Sequence, residues 1–269
     1  MKTTTTALAF ALAAMSAQAS IVTRDIDYEQ NGVKLRGFLA YDDATAKAGK
    51  LPGVLVVHEW WGLNDYVKGR AVKLANLGYV AFALDMYGRG VLATDPKAAG
   101  ELAGQFRGKP LMAERAQAGL DQLLGTGLVD PSRVAAIGYC FGGSTVQALA
   151  YAGAPLAGIV SFHGGLVPAS ADAAARLKAK ILICHGALDP SLKREDIDAY
   201  VKSLDDGKVD YRFVQYAGAL HAFTNPDADA IAAANPGMKG FIGYSPSADR
   251  RSWADMRVFF DEIFAPAKG

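Results

Sequence analysis

Short apolar runs alternate along this chain with longer segments in which apolar residues recur every three or four positions. Residues 54–58 and 79–84 are continuous apolar runs, the pattern of strands buried on both faces of a sheet. Residues 21–28 and 33–41 are β-prone, and Gln30-Asn31-Gly32 between them is a hairpin signal. Asn64 opens a helical pattern carrying Val67, Ala71, Leu74 and Leu77, which Gly78 stops. After 79–84 comes a long polar, glycine-containing connection. A helix over 111–124 and a turn at Asp130-Pro131 then lead into a strand at 134–137. Further on, the pattern predicts a helix at 142–151, strands at 157–162 and 180–184, a helix at 195–204 and a strand at 211–216. The last helix starts near Pro246, with Trp253, Met256, Phe260, Ile263 and Phe264 on one face. Alternating strands and helices imply an α/β fold: a mostly parallel sheet covered on both faces, opened by an N-terminal antiparallel hairpin.

The first residues do not fit that pattern. Met1-Lys2, the apolar run 7–15 and the small residues Ala17-Gln18-Ala19 describe a secretory signal peptide. Cleavage is expected after Ala19, leaving 20–269 as a single domain in the periplasm or the medium. The apolar run is too short to span a bilayer, so no membrane association is expected. Of the 269 residues, 28 are Lys or Arg and 27 Asp or Glu, and Lys2 is the one charge lost with the leader. This balance gives no electrostatic case for nucleic acid as a partner. With 51% hydrophobic residues the chain is not disordered, and two cysteines cannot form a disulfide scaffold or an all-cysteine zinc site. A monomer without metal or cofactor is the expectation.

Candidate chemistry begins at Gly138-Tyr139-Cys140-Phe141-Gly142-Gly143, between a strand and a helix. This is the nucleophile-elbow spacing, with Cys140 in the nucleophile's place. The turn is tight enough to need flanking glycines, and it sets the side chain over a helix N-terminus, where a thiolate is stabilised. In hydrolases of this architecture an acid and then a histidine follow, each on a loop after a strand. Asp189 follows the strand at 180–184, and His221 follows the strand at 211–216. Taken singly, Asp189 also fits a turn before Pro190, and His221 a buried loop histidine. In this order after Cys140 they fit a triad in which His221 takes the thiol proton and Asp189 orients the imidazole. The loop after the strand at 54–58 should supply the second oxyanion donor, so the backbone N–H groups of Trp60 and Phe141 are assigned to that role. His58-Glu59 opens like a zinc-protease motif, but Gly62 breaks it. Phe162-His163-Gly164-Gly165 reads as a tight turn, and Cys184 and His185 read as structural.

Together the elbow, the Glu59 loop, Leu84-Asp85-Met86-Tyr87-Gly88-Arg89, His185-Gly186-Ala187-Leu188-Asp189 and His221-Ala222-Phe223 resemble the dienelactone hydrolase family. The resemblance implies an α/β-hydrolase fold and hydrolysis of lactones or esters through an acyl-cysteine. It also implies that Glu59 pairs with the resting thiol and helps deprotonate it. Members acting on dienelactone hold the substrate carboxylate with two arginines. Arg89 matches one of them; the other position, four residues after His221, holds Asn225. Arg250, Arg251 and Lys239 are the remaining candidates for the second cation. Trp60, Trp61 and Phe223 suggest an aromatic-lined pocket, and 225–245 reads as a loop with one short helix that could form a lid. The expected function is hydrolysis of a lactone or small carboxylic ester. The alternatives are a thioesterase or general carboxylesterase on the same residues, a non-catalytic binding protein, and a redox role for Cys140, which no C-x-x-C motif supports.

Overall fold

In the computed structural model, residues 20–265 are described; the expected leader, 1–19, lies outside them. Strands β1 (Ile21–Gln30) and β2 (Val33–Asp42) pair antiparallel along their whole length. Their two-residue turn places Asn31 and Gly32 at φ 50° and 77°, the left-handed pair a tight hairpin of this kind requires. The chain continues through α1 (Asp43–Ala46), β3 (Leu51–Val57), α2 (Asp65–Ala75), β4 (Val80–Leu84), α3 (Pro96–Gly104) and α4 (Leu111–Gly125). Then come β5 (Val129–Tyr139), α5 (Phe141–Tyr151), β6 (Gly158–Phe162), α6 (Ala171–Arg176) and β7 (Lys180–Gly186). The last elements are α7 (Arg194–Asp206), β8 (Tyr211–Tyr216), α8 (Ala228–Ala234), a 3-10 turn at Pro236–Met238 and α9 (Pro246–Ile263).

The eight strands form one sheet in the order β1-β2-β4-β3-β5-β6-β7-β8, parallel from β4 to β8 and antiparallel at β1 and β2. Side chains of the central strands alternate between two cores, as the strand period of two demands. Leu55 and Val57 join Leu84 and Ala136 under α4, α5 and α7, where Leu120, Val146 and Leu204 are fully buried. Val54 and Val56 join Ala83 and Ile137 under α2 and α9, where Leu74, Met256 and Phe260 are buried. Both faces are thus covered, which is why β3, β4 and β6 read as apolar runs rather than alternating ones.

Three short helices and one long strand depart from the sequence reading. Helix α3 lies in what the pattern leaves as a polar connection, because its apolar positions are mainly alanines and it buries only Ala99 and Ala103. Its start is nonetheless written locally: Asp95 caps it by accepting from the Ala98 N–H (2.9 Å), with Pro96 at the first position. Strand β5 begins at Val129, so Asp130-Pro131 lies within it and the pairing shifts register between Leu51 and Gly53. Helices α1 and α6 are only four and six residues long, and of their side chains only Ala173 is buried in a main core.

From β3 the chain steps to β4 on one side, and later to β5 on the other. Loops leaving the carboxyl ends of β3 and β5 therefore diverge and open a crevice between them, the usual ligand position in open parallel sheets.

Candidate active site

Cys140 sits at that crevice, between the end of β5 and the first residue of α5, with φ 53° and ψ −113°. A left-handed conformation at a non-glycine residue is strained and holds only where its surroundings fix it. Its own N–H donates to the Phe162 carbonyl (3.0 Å), and its carbonyl accepts from Gly143 N–H (3.0 Å). The flanking glycines are required sterically. A Cβ at Gly138 would lie 2.0 Å from the Gly142 carbonyl oxygen, and one at Gly142 would lie 2.3 Å from that of Val57. At Gly143 a Cβ would meet Ser161 Oγ at 2.4 Å. Backbones from β3, β5 and β6 thus close around the elbow, and the thiol stands over the N-terminus of an 11-residue helix.

His221, after β8, bonds through Nδ1 to Asp189 Oδ2 at 2.7 Å. Asp189 follows β7, and its other oxygen accepts from the Ser191 N–H (2.9 Å). Burial alone would raise the Asp189 pKa. The His221 hydrogen bond and charge, with the Ser191 contacts, outweigh it and hold the carboxyl down at about 2. Burial likewise opposes charge on His221, but the neighbouring Cys140 sulfur and the Asp189 carboxylate favour the imidazolium and bring its pKa up to about 10. The arrangement favours a proton on His221.

Glu59 is almost fully buried in the loop after β3. Its Oε2 accepts from Asn225 Nδ2 at 2.7 Å, while Oε1 has no hydrogen-bond partner. Burial pushes its pKa up to about 7, against the lowering effects of Asn225 and His221. The residue at the position of the missing arginine is therefore the direct partner of Glu59.

Two buried networks fix the loops that carry these groups. His58 Nε2 accepts from the Met86 N–H (3.2 Å); Nδ1 therefore carries the proton and donates to the Glu59 carbonyl. Tyr87 Oη donates to the Trp60 carbonyl (3.0 Å), so the β3 loop is tied down on both sides of Glu59. Behind His221, Arg70 is buried, pairs with Asp249 at 2.7 Å and donates to the Thr224 carbonyl. The Thr224 hydroxyl bonds Tyr66 Oη (2.6 Å) and His163 Nε2 (2.7 Å). His163 stays neutral, first through burial and then through the positive charge of His221, whose ring stands edge-on to it at 5.3 Å.

A pocket of about 480 Å³ opens over Cys140. Glu59, Trp60, Trp61, Phe141, His221 and Asn225 all line it. Among the described residues, the N–H groups of Trp60 and Phe141 donate to no protein acceptor, as oxyanion donors must. The segment 225–245, read as a candidate lid, contributes wall: Ala228, Ile231, Met238, Phe241 and Ile242 face the cavity, and Met238 and Ile242 pack with Ala222. Leu166, Val167, Ser191, Leu192 and Arg107 also line it. None of these stands out in the sequence, because each lies in a loop or helix whose direction is set by distant contacts.

Two substrate contacts expected from the sequence lie away from the pocket over Cys140. Arg89 does not line the pocket. The Asp85 carboxylate accepts from the N–H groups of Tyr87 and Gly88 (2.9 Å each), and Arg89 N–H donates to the Lys34 carbonyl (2.9 Å). This stitches the turn to the β1–β2 hairpin, and the guanidinium pairs with Asp27 at 3.2 Å, beside a separate hollow. Phe223 is fully buried and packs against His163 and Tyr216 rather than facing the cavity. Its neighbour Ala222 is at φ 57°, and the kink turns Phe223 inward. Cys184 is buried with Tyr216 Oη at 3.5 Å, and burial pushes its thiol up to about 12, far from a reactive state. Arg250, Arg251 and Lys239 do not line the pocket either.

A parallel sheet of this order, with the elbow after β5 and loops converging on its carboxyl edge, defines an α/β-hydrolase. Within that class the chain belongs to the dienelactone hydrolase family, whose model matches residues 35–264. A protein of Aquifex aeolicus (strain VF5) named "Putative carboxymethylenebutenolidase" is 31% identical over 212 residues, covering 77% of this chain and 89% of its own length. A dienelactone hydrolase-like promiscuous phosphotriesterase from metagenomic libraries is 39% identical, with TM-score 0.84, covering 92% of this chain and 100% of its own. A structure described as m3DLH is 41% identical, with TM-score 0.84, covering 91% and 99%. The chain is accordingly a hydrolase of this family, similar to carboxymethylenebutenolidases.

Proposed function

We propose that the protein hydrolyses a carboxylic ester or lactone through an acyl-cysteine intermediate on Cys140, His221 and Asp189. The observation that carries this reading is the 2.7 Å His221–Asp189 bond beside a cysteine held strained at a helix N-terminus. The Cys140 sulfur attacks the carbonyl carbon, and the N–H groups of Trp60 and Phe141 hold the resulting oxyanion. Each such donor is worth about 3 kcal/mol of barrier in a water-excluded site. Collapse of the intermediate expels the alcohol oxygen, which takes the proton from His221. Water then attacks the thioester, His221 receives its proton, the free acid leaves and the thiolate is restored. The thiol proton passes to His221 before the attack; Glu59, on the same pocket wall with its Oε1 unpartnered, pairs with the resting thiol and helps move that proton to His221 when substrate enters. The same residues would serve a thioesterase or a general carboxylesterase. The name of one relative favours a second substrate class, phosphotriesters, in which the sulfur would attack phosphorus instead of carbon. Export through a leader at 1–19, and action as a single-domain monomer in the periplasm or medium, belong to the same proposal.

Turnover of 4-nitrophenyl esters, simple lactones, thioesters and a dialkyl aryl phosphate by wild type and Cys140→Ala tests the reading. Wild-type activity that falls at least a thousandfold in the variant is expected. Equal rates in the two proteins would refute the acyl-cysteine route. Substrate binding without turnover in either would point to a binding protein.

A further inference from the structure

Two sets of apolar side chains wall the pocket over Cys140, and they belong to different parts of the fold. Met112, Phe141 and Leu166 are continuous with the core under α4 and α5. Ala222, Met238 and Ile242 form a third cluster distinct from both cores of the sheet, joined by Trp61, Ile231 and Phe241. Trp60 packs against both sets and stands where they meet. The third cluster is built onto His221. His221 N–H donates to the Phe241 carbonyl (3.2 Å), the His221 carbonyl accepts from Gly243 N–H (3.1 Å), and the Phe241 ring centre lies 5.3 Å from that of the imidazole. Phe241 N–H in turn donates to the Met238 carbonyl (3.0 Å). Asp229 of α8 accepts from Tyr244 N–H (3.0 Å), which ties the helix carrying Ile231 to the same strip of chain. Polar groups beside this wall are occupied: Asn225 donates to Glu59, and Asp189 holds Nδ1 of His221.

With Nδ1 held by Asp189, the proton for the leaving oxygen sits on Nε2. That oxygen, and whatever it carries, therefore lies on the His221 side of the carbonyl carbon. We infer that Ile231, Met238, Phe241 and Ile242 form an alcohol subsite, an arm of the pocket that takes an uncharged aryl or bulky alkyl leaving group, while Met112 and Leu166 line the acyl side. This rests on the acyl-cysteine reading and names its substrate class: esters of apolar alcohols, and lactones with an apolar substituent on the carbon bonded to the ring oxygen. A charged or polyhydroxylated alcohol would lose its hydration in this arm without finding a partner. Each further carbon of an apolar one gains roughly fourfold in binding where it is fully removed from water. Met238, unbranched and flexible, lets the arm adjust to differing shapes.

Phenyl acetate, 2-naphthyl acetate and phenyl hexanoate test this in wild type, Ile231→Trp and Leu166→Trp. The two acetates have leaving groups of similar acidity, so their ratio of kcat/KM reports the fit of the alcohol. The two phenyl esters share a leaving group, so theirs reports the fit of the acyl chain. Each ratio is taken within one protein, which cancels a general loss of activity. Wild type should favour 2-naphthyl over phenyl acetate by about tenfold. Ile231→Trp fills the alcohol arm and should abolish that preference, with the hexanoate-to-acetate ratio kept within twofold. Leu166→Trp should lower the hexanoate-to-acetate ratio about tenfold and spare the naphthyl preference. Ile231→Ala shortens a half-buried side chain and should shift the naphthyl-to-phenyl ratio at least about threefold, which keeps the test open if tryptophan is not accommodated. A wild type without naphthyl preference, or Ile231 variants that move the acyl ratio as much as the alcohol ratio, overturns the inference while the acyl-cysteine mechanism stands. Calorimetric titration of Cys140→Ala with 2-naphthol, the alcohol product, needs no turnover. Its affinity should fall about tenfold once Ile231→Trp is added and stay within twofold with Leu166→Trp. No binding, or equal affinity in all three, would refute the subsite even if no ester is hydrolysed.

Discussion

Replacing Glu59 by glutamine keeps the shape of a buried side chain and removes its ability to ionise. Glu59 is 2% exposed, and burial raises its pKa from the ordinary 4.5 to about 7. A carboxyl with a folded pKa above its unfolded value contributes stability in full below the unfolded pKa. That contribution is lost as pH rises through the folded pKa. For Glu59 the window runs from about pH 4.5 to just above pH 7. At 1.36 kcal/mol per pH unit the full difference is about 3 kcal/mol, of which about 2.5 kcal/mol falls between pH 5 and pH 8. Glutamine does not titrate, and its carbonyl oxygen can still accept from Asn225 Nδ2. The stability of Glu59→Gln relative to wild type should therefore rise by about 2.5 kcal/mol between pH 5 and pH 8, or roughly 5–10 °C in Tm. Urea unfolding of both proteins at pH 5, 6, 7 and 8 measures it, because titrations common to the two cancel in the difference. A difference constant across that range would mean that Glu59 ionises as it does in water, and the argument from burial would be wrong.

Three other substitutions probe the remaining geometry. Asp189→Asn removes the charge that favours imidazolium and should lower kcat roughly 100- to 10,000-fold with KM little changed; an effect below threefold would sever Asp189 from the mechanism. Gly142→Ala drives a Cβ against the Val57 and His58 carbonyl oxygens at 2.3 and 2.7 Å and should cost on the order of 3 kcal/mol or more, read by thermal unfolding. Near-neutral stability would show that the elbow can relax. Arg89→Gln should leave KM for carboxylate-bearing and neutral esters alike within twofold, since the guanidinium lies on Asp27 and outside the pocket. A KM increase confined to the carboxylate substrates would reinstate it as a substrate contact.

Parts of the candidate site are legible in the sequence because each is a local pattern. Glycines spaced around Cys140 announce a turn that no other residue fits, and a carboxylate and a histidine just past apolar strands sit where parallel sheets put their loops. Arg89 and Phe223 escape such a reading for the opposite reason. Both lie in motifs of the right spacing, but direction is set by remote partners: Asp27 and Lys34 of the hairpin for Arg89, His163 and Tyr216 for Phe223. Arg107 leaves no mark at all, since a basic residue in a polar connection looks like any solvated one. Helix α3 is hidden because alanine and glycine carry little periodic signal.

By itself, then, the sequence determined the class of fold, the order of its strands and longer helices, and the residues with nucleophile, acid and histidine spacing. Periodicity, turn chemistry and glycine sterics act over a few residues, so the chain records them directly. Only the tertiary structure decided which side chains share the pocket. It turned Asn225 onto Glu59, took Arg89 out to the hairpin, folded 225–245 into a wall and set Phe106 against Phe141. Those placements depend on contacts between residues roughly 30 to 170 positions apart, and such contacts exist only once both cores have formed around the sheet.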